Sequence, residues 1–573
     1  MRPAIINFFL SFLLILSGNS AFAGISEGQY GGRIVLDATS EPKTFNDIVA
    51  KESSSSAVTA LIFEGLTTIN AFDLKVEPNL AERWEHSSDG LIWTFYLRKD
   101  VRWNDGKPFD ANDVVFTFND LIYNPDIPSS AADFFLIEGQ KIKVEKIDDY
   151  TVRFTLPVPF APFLRSMAQA ILPKHKLDEA VKEKKFNFTW GIDTPPEEIV
   201  GTGPFKLKEY RPAERIIFER NPFYWKRSKE GDKLPYLDGV VYLIVQNQDT
   251  SLLKFLDGEL DYYGIRGTDY PLLKTREKEG NFTVYNVGPS SGSDFLFFNQ
   301  NTSVNPNTGK TFISPEKLSW FTDVNFRRGV AHAIDRERII EIQMNGLGYE
   351  LFSPISPNMK TFYNPDVKKY PYDLEKAKAV LKEAGFFDRN GDGWIDDKEG
   401  NTVQFTLATN SGAVERIQIA GIVRADLERL GMKVNFKILE FNTLVNQLTA
   451  NFEWEAVLLG LTGGGYDPHF SVNIWMSSAG LHMWYPNQKS PATDWEARVD
   501  EIFRDGVKEL DEAKRKELYD EFQMIISEQV PVLYTVLNAR LFAVRNKFGN
   551  LKPTNYGGAL HNLEEIYIKK SDK

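Results

Sequence analysis

The stretch Leu80-Ala-Glu-Arg-Trp-Glu85, Ser88-Asp-Gly90, Leu91-Ile-Trp-Thr-Phe-Tyr-Leu97, Arg98-Lys-Asp-Val-Arg-Trp-Asn-Asp-Gly-Lys-Pro-Phe109 and Asp110-Ala-Asn-Asp-Val-Val-Phe-Thr-Phe118 decides how the chain is read. Ser88-Asp-Gly90 is a turn, because aspartate and glycine both favour tight backbone reversals. Residues 91–97 are aromatic or apolar almost throughout, which suits a strand. After the Asn104-Asp-Gly106 turn, Asp110 opens a helix, with Asp113 at the third helical position in the manner of a capping box. Strand, turn and capped helix in succession indicate a mixed α/β protein.

The same alternation continues in both directions. Arg33-Ile-Val-Leu36 reads as a strand and residues 37–56 as a loop ending in Lys51-Glu-Ser-Ser-Ser-Ser56, with Ser56 capping a helix over 57–63. Lys51 can meet a ligand carboxylate, and Ser53 and Ser54 offer hydroxyls and backbone N–H groups; the plain alternative is a solvated loop and cap. Residues 210–218, 240–245 and 260–263 read as strands, and 249–257 as a helix. Further helices fit 373–384, 414–430, 495–507 and 511–527, the first two closed by Gly385 and Gly431. Ala456-Val-Leu-Leu459 is a short buried strand that runs into Gly460-Leu-Thr-Gly-Gly-Gly-Tyr-Asp-Pro-His-Phe-Ser-Val-Asn-Ile-Trp475. Three glycines let a partner approach the backbone there, and Tyr466, His469, Phe470 and Trp475 set rings beside it. Otherwise the segment is a surface turn whose rings pack inward.

A chain of 573 residues exceeds one core, so two to four domains are expected. A net charge of −12 speaks against nucleic acid as a partner, since phosphate binding needs clustered Lys and Arg. With no cysteine, disulfides, thiolate metal sites and cysteine nucleophiles are all excluded. Arg2, the apolar run 5–16 and Ala21-Phe-Ala23 read as a cleavable signal peptide over residues 1–23, which predicts an exported, periplasmic protein. A lipoprotein would need a cysteine after the signal. G-x-S-x-G and H-E-x-x-H motifs are absent, so a secreted hydrolase is disfavoured and the chain is read as a non-enzyme.

Asp388-Arg-Asn-Gly-Asp-Gly-Trp-Ile-Asp-Asp-Lys-Glu399 fits the calcium-loop template. Asp388, Asn390, Asp392, Trp394 (through its carbonyl), Asp396 and Glu399 take the ligand positions, and Gly393 the sharp turn. The expectation is one structural calcium and no other cofactor; the alternative is an acidic turn without metal.

Residues 80–118 resemble, nearly position by position, a signature of the family 5 extracellular solute-binding proteins of ABC importers, the dipeptide- and oligopeptide-binding group. Val200-Gly-Thr-Gly-Pro-Phe-Lys-Leu207, Glu219-Arg-Asn-Pro-Phe-Tyr-Trp225, Phe326-Arg-Arg-Gly-Val-Ala-His-Ala-Ile-Asp335 and Pro531-Val-Leu-Tyr534 resemble further landmarks of that family, and the likeness runs over residues 30–570. It implies an α/β, periplasmic-binding-protein-like fold of cluster C type, with two lobes about a hinged cleft and an inserted domain. The first lobe would take residues 24–64, 201–290 and 533–573, the inserted small domain 65–200, and the second lobe 291–532.

The resemblance also implies the function: capture of a peptide or peptide-like solute between the lobes and delivery to inner-membrane ABC permease subunits, by a protein expected to be a monomer. It places Lys51, Ser53, Ser54, Gly460, Leu461, Thr462, Gly464, Tyr466, Asp467 and Trp475 at the ligand. In peptide-binding relatives an aspartate four residues before the loop proline holds the ligand's α-amino group, and here Gly464 stands four before Pro468. Asp467, Glu41 and Glu52 are candidate substitutes for it. The departure admits a second ligand class, oligosaccharides or another polar organic solute, with Trp103, Tyr466, Trp475 and Trp484 as stacking rings. His469 and His482 give a weaker pointer to a metal complex or haem.

Overall fold

Residues 80–118 fold largely as read. In the computed structural model, which describes residues 28–570 except 51, 52, 138, 462–464, 466 and 487, the strands Ala81–His86 and Ile92–Leu97 pair antiparallel and the helix Ala111–Phe116 follows. The Asp110 carboxylate accepts from the Asn112 N–H at 2.7 Å, and Asp113 accepts from the Asp110 N–H at 3.1 Å, closing the capping box. Ile92–Leu97 lies inside a four-stranded antiparallel sheet with Thr151–Thr155 and Lys143–Asp148 beyond it. Its Trp93, Phe95 and Leu97 are buried while the alternate residues are not, as period two requires of a sheet covered on one face.

This small unit shares one continuous core with a larger sheet. There Arg33–Ala38 runs parallel to Gly239–Ile244, which pairs with Arg215–Arg220 and through it with Phe205–Arg211. Residues 210–218 are therefore not one strand. They contain the reversal of a hairpin at Arg211-Pro-Ala-Glu-Arg215, with Ala213 in the left-handed region at φ 61°. The serine run also differs from expectation: Ser53–Thr59 is the helix, so Ser53 to Ser56 form its opening turns and not a loop before it. The Ser55 hydroxyl accepts from the backbone N–H groups of Lys43 and Thr44, a tertiary contact that holds serine inside a helix despite its preference for caps.

The second lobe is built on a five-stranded sheet in the order Lys433–Leu439, Gln404–Asn410, Ala456–Leu461, Ser293–Phe298, Val532–Tyr534. Two apolar clusters cover its two faces. The long helices Val414–Arg429, Asp494–Gly506 and Glu512–Gln529 contribute to them.

The chain passes between the lobes in two adjacent places. Phe282–Pro289 pairs with Val536–Arg545 in a sheet of the first lobe, and after residues 290–292 the chain enters Ser293–Phe298 of the second. Val532–Tyr534 pairs with Ser293–Phe298, and one residue later Val536–Arg545 has joined the first lobe. The two crossings are tied together. The Thr535 N–H and hydroxyl both donate to the Asp294 carbonyl, at 3.1 and 2.6 Å, and the Ser290 N–H donates to the Asn538 carbonyl at 2.8 Å. A two-strand connection of this kind lets the lobes rotate as bodies while little else changes.

Candidate ligand cleft

The crossings set Asp294 and Asn538 at the mouth of the space between the lobes. Asp294 lies opposite Gly460 in the antiparallel register, and its carboxylate meets the Arg416 Nε at 2.7 Å. Arg416, in the first turn of Val414–Arg429, also donates to the Asn410 side-chain oxygen at 2.8 Å. A Cβ on residue 460 would stand 2.1 Å from the Asp294 Oδ1 and 2.3 Å from the Arg416 Nη2, so glycine at this position leaves the space that the ion pair fills. The neighbouring Glu415 turns toward the first lobe and accepts from the Asn538 side-chain N–H at 3.2 Å. Surrounding protein pushes the Glu415 carboxyl above its ordinary value, and the nearby Asp294 adds to the effect. Across the gap stand Gln248 and Arg266, the latter held by Asp269 at 2.6 Å and Asp249 at 2.7 Å. These side chains enclose an inter-lobe cavity of about 710 Å³.

Two smaller hollows flank it. Ser53, Ser54, Tyr242 and Tyr262 border one of about 380 Å³ in the first lobe, and Gln248 lines both this hollow and the larger cavity. Leu461, Gly465, Asp467, Phe470 and Trp475 border one of about 210 Å³ in the second lobe. Ser293 lines this hollow while its neighbour Asp294 lines the large cavity. The residues expected at the ligand are thus divided between the two walls. Lys51, Glu52, Thr462, Gly464 and Tyr466 lie outside the described residues.

Several roles expected of individual residues change. Asp467 is wholly buried, and both its oxygens are taken by Arg515, at 2.5 and 2.6 Å. Burial alone would raise its pKa, but the guanidinium and the His469 N–H outweigh that and hold the carboxyl below the usual range. It is a structural ion whose charge is already matched by the buried Arg515, which leaves none for a ligand ammonium. Glu41 accepts from the Tyr210 hydroxyl. Trp475 packs against Trp484 and Phe522, so its ring is core and only an edge reaches the hollow. Trp103 and Trp484 are buried and unavailable for stacking on a sugar. His482 sits between the Ile474 carbonyl and Glu496, and burial drives the His469 pKa down to about 4.

The acidic turn at 388–399 is held by its own backbone. Asp388 accepts from the N–H groups of Gly391 at 2.7 Å and Gly393 at 2.9 Å, and Asp392 from Trp394 at 2.8 Å. Asp396 is buried and bonds the Thr402 hydroxyl, away from the other acids. Among the described residues no three carboxylate or imidazole groups converge to hold a metal ion. Asn390 and Asp392 bond each other, the Asn390 amide to Asp392 at 3.3 Å and the Asp392 N–H to the Asn390 oxygen at 2.8 Å.

Sequence reading missed Gln248, Arg266, Asp294, Glu415, Arg416 and Asn538. None stands in a motif. They come from five separate segments and meet only because both crossings lie beside the first turn of one helix.

The model of the bacterial extracellular solute-binding proteins, family 5, matches residues 75–482. The chain belongs to this family. The oligopeptide-binding protein AppA of Bacillus subtilis is 29% identical to it over 566 residues, spanning 97% of this chain and 95% of the relative. The AppA structure in complex with a nonapeptide superposes with a TM-score of 0.71 at 28% identity, covering 95% of this chain and all of the other. A probable ABC transporter-binding protein of Deinococcus radiodurans is also 29% identical, over 90% of this chain and 88% of its own length. The family 5 chain described here thus has the solute-binding fold, two lobes and an inserted unit about one cleft. No helix among its described residues is long and apolar enough to cross a membrane.

Proposed function

We propose that the chain captures a peptide between its lobes and presents it to the permease of an ABC importer. The observation that carries this is the inter-lobe cavity of about 710 Å³ at the two-strand crossing, in a chain that matches an oligopeptide-binding protein along nearly its whole length. Its volume falls within the roughly 300–1,000 Å³ of small-molecule sites. Its lining of amides and paired charges, Gln248, Asn538, Arg266 and Asp294 with Arg416, suits the amide groups of a peptide backbone. Burial of Trp103, Trp475 and Trp484 withdraws three of the four rings expected to stack on a sugar, which favours the peptide reading. Export as a soluble, monomeric periplasmic protein completes the proposal; its signal segment, residues 1–23, lies outside the described residues, and sequencing of the secreted protein would start at Gly24.

Thermal melting against di- to octapeptides and oligosaccharides tests the reading. A ligand that binds only the folded state at about a hundred times its Kd adds roughly 2.7 kcal/mol of stability. Peptides should raise the melting temperature and be recovered intact. If only sugars shift the melt the peptide assignment fails, and if peptides are hydrolysed the transport role fails.

A further inference from the structure

The charges that line the inter-lobe cavity are Arg266, Asp294, Glu415 and Arg416. Arg266 is neutralised by Asp269 and Asp249, and Arg416 and Asp294 neutralise each other. Glu415 accepts from an amide, the Asn538 side chain, and makes no ion pair among the described residues; the charge of the neighbouring Arg416, spent on Asp294, acts on it only at longer range. Glu415 is an exposed residue lining the cavity, its side chain tied across the gap to Asn538. A carboxylate that lines a concave site beside a second carboxylate, with no ion pair of its own, gains from a cation brought into contact with it.

We propose that Glu415 is the cavity's receptor for a cationic group of the ligand, a primary ammonium or a guanidinium. This rests on the peptide reading above and gives it a charge preference. A peptide offers such a group in two places, its free amino terminus and a basic side chain. Either would bring three or more N–H donors to a carboxylate that can accept several hydrogen bonds. Placing the acceptor here also links ligand charge to the arrangement of the lobes. Glu415 belongs to the second lobe, and the Asn538 amide that orients it belongs to the crossing strand of the first. A cation bridging this site would strengthen the lobe-to-lobe contact on which closure depends. The alternative role for Glu415, an acid in the first turn of a helix offsetting the helix dipole, predicts a small effect on stability and none on ligand choice.

Three hexapeptide libraries separate the two roles: one with free amino termini, one acetylated and without basic residues, and one acetylated with a single lysine. Apparent Kd values come from the concentration dependence of the melting shift, for wild type and for Glu415→Gln. The glutamine keeps the size and the hydrogen bond to Asn538. In the variant, binding of at least one cationic library should weaken about tenfold or more while the acetylated neutral library stays within about twofold. The library that loses affinity identifies whether terminus or side chain is bound. Glu415→Lys should weaken cationic libraries further still. An equal loss on all three libraries, or no loss on any, overturns the inference and leaves peptide capture standing. Silence of wild type toward all three overturns peptide capture, and this inference with it.

Discussion

Arg515 grips Asp467 through both carboxylate oxygens in the interior of the second lobe, and two residues along, His469 is half-buried, its Nδ1 shielded from solvent and without a hydrogen-bond partner among the described residues. The pair and the histidine respond to acid in separate windows. The folded Asp467 has a depressed pKa, so its contribution is complete above about pH 4 and is lost only below that. The folded His469 is also depressed, to about 4, by burial first, with Asp467 raising and Arg515 lowering it less strongly. A histidine that must stay neutral to remain buried contributes stability above its unfolded value of about 6.5 and loses it as the pH falls toward 4. By pH 5 the loss amounts to about 2 kcal/mol. Urea unfolding of wild type and His469→Gln, at pH 7 and pH 5, should therefore show a pH-dependent loss that shrinks by about that amount in the variant. Equal losses in the two proteins would remove His469 as the cause.

Among the elements, the turn at 388–399 shows how a loop that fits a metal template is also held by its own backbone. Sequence spacing put acids at the ligand positions, but spacing does not say which way each carboxylate turns. The residue that organises this turn is Asp397, outside the template's ligand set. It accepts from the N–H groups of Glu399 and Asn401, from the Asn401 amide and from the Trp320 indole, at 2.8 to 3.0 Å. Asp397→Ala leaves these donors unpaired, one of them a buried indole, and should cost about 2–3 kcal/mol in thermal or urea unfolding. Calcium held by this loop would raise the wild-type melt when added at millimolar concentration after chelation, and an unchanged melt would reject the calcium reading. Elsewhere, local signals sufficed. The capping box at Asp110 and Asp113 needs only neighbours in sequence, as does the strand Ala456–Leu461 ended by glycine. The start of the helix Ser53–Thr59 was placed four residues late and the hairpin at 205–220 was missed, because their causes lie further off, in the Lys43–Thr44 backbone and in cross-strand pairing. The cleft follows the same rule. Gly460 was legible because a glycine after a buried strand is a local event, whereas Asp294, Glu415 and Asn538 are brought together only by the topology.

At the scale of the whole molecule, the lobes touch outside the crossing as well as at it. The Phe160 ring of the inserted unit meets His469 edge-on at 5.6 Å, the Ala161 N–H donates to the Val507 carbonyl at 2.7 Å, and the Lys360 ammonium reaches the Phe72 carbonyl. These contacts lie away from the two connecting strands, so opening the cleft must break them while the crossing persists. The seam is apolar on both sides, Leu136, Val158 and Phe160 facing Val472, Met476 and Phe503, so a ligand that favours the closed arrangement acts together with this contact. A ligand moves such an equilibrium only by its differential affinity for the two states. A peptide that touches both walls, through Ser53 and Ser54 on one side and Leu461 on the other, has that differential affinity by construction. Small-angle scattering should then show a smaller radius of gyration when a peptide proven to bind by calorimetry is added at saturation. Phe160→Leu, which keeps apolar volume but loses the ring pair, should weaken that peptide by about 1 kcal/mol, roughly fivefold, since the lost contact exists only in the closed state. Identical scattering with and without a bound peptide would mean that the lobes do not close on it, and that recognition by the permease reads some other feature of the loaded protein.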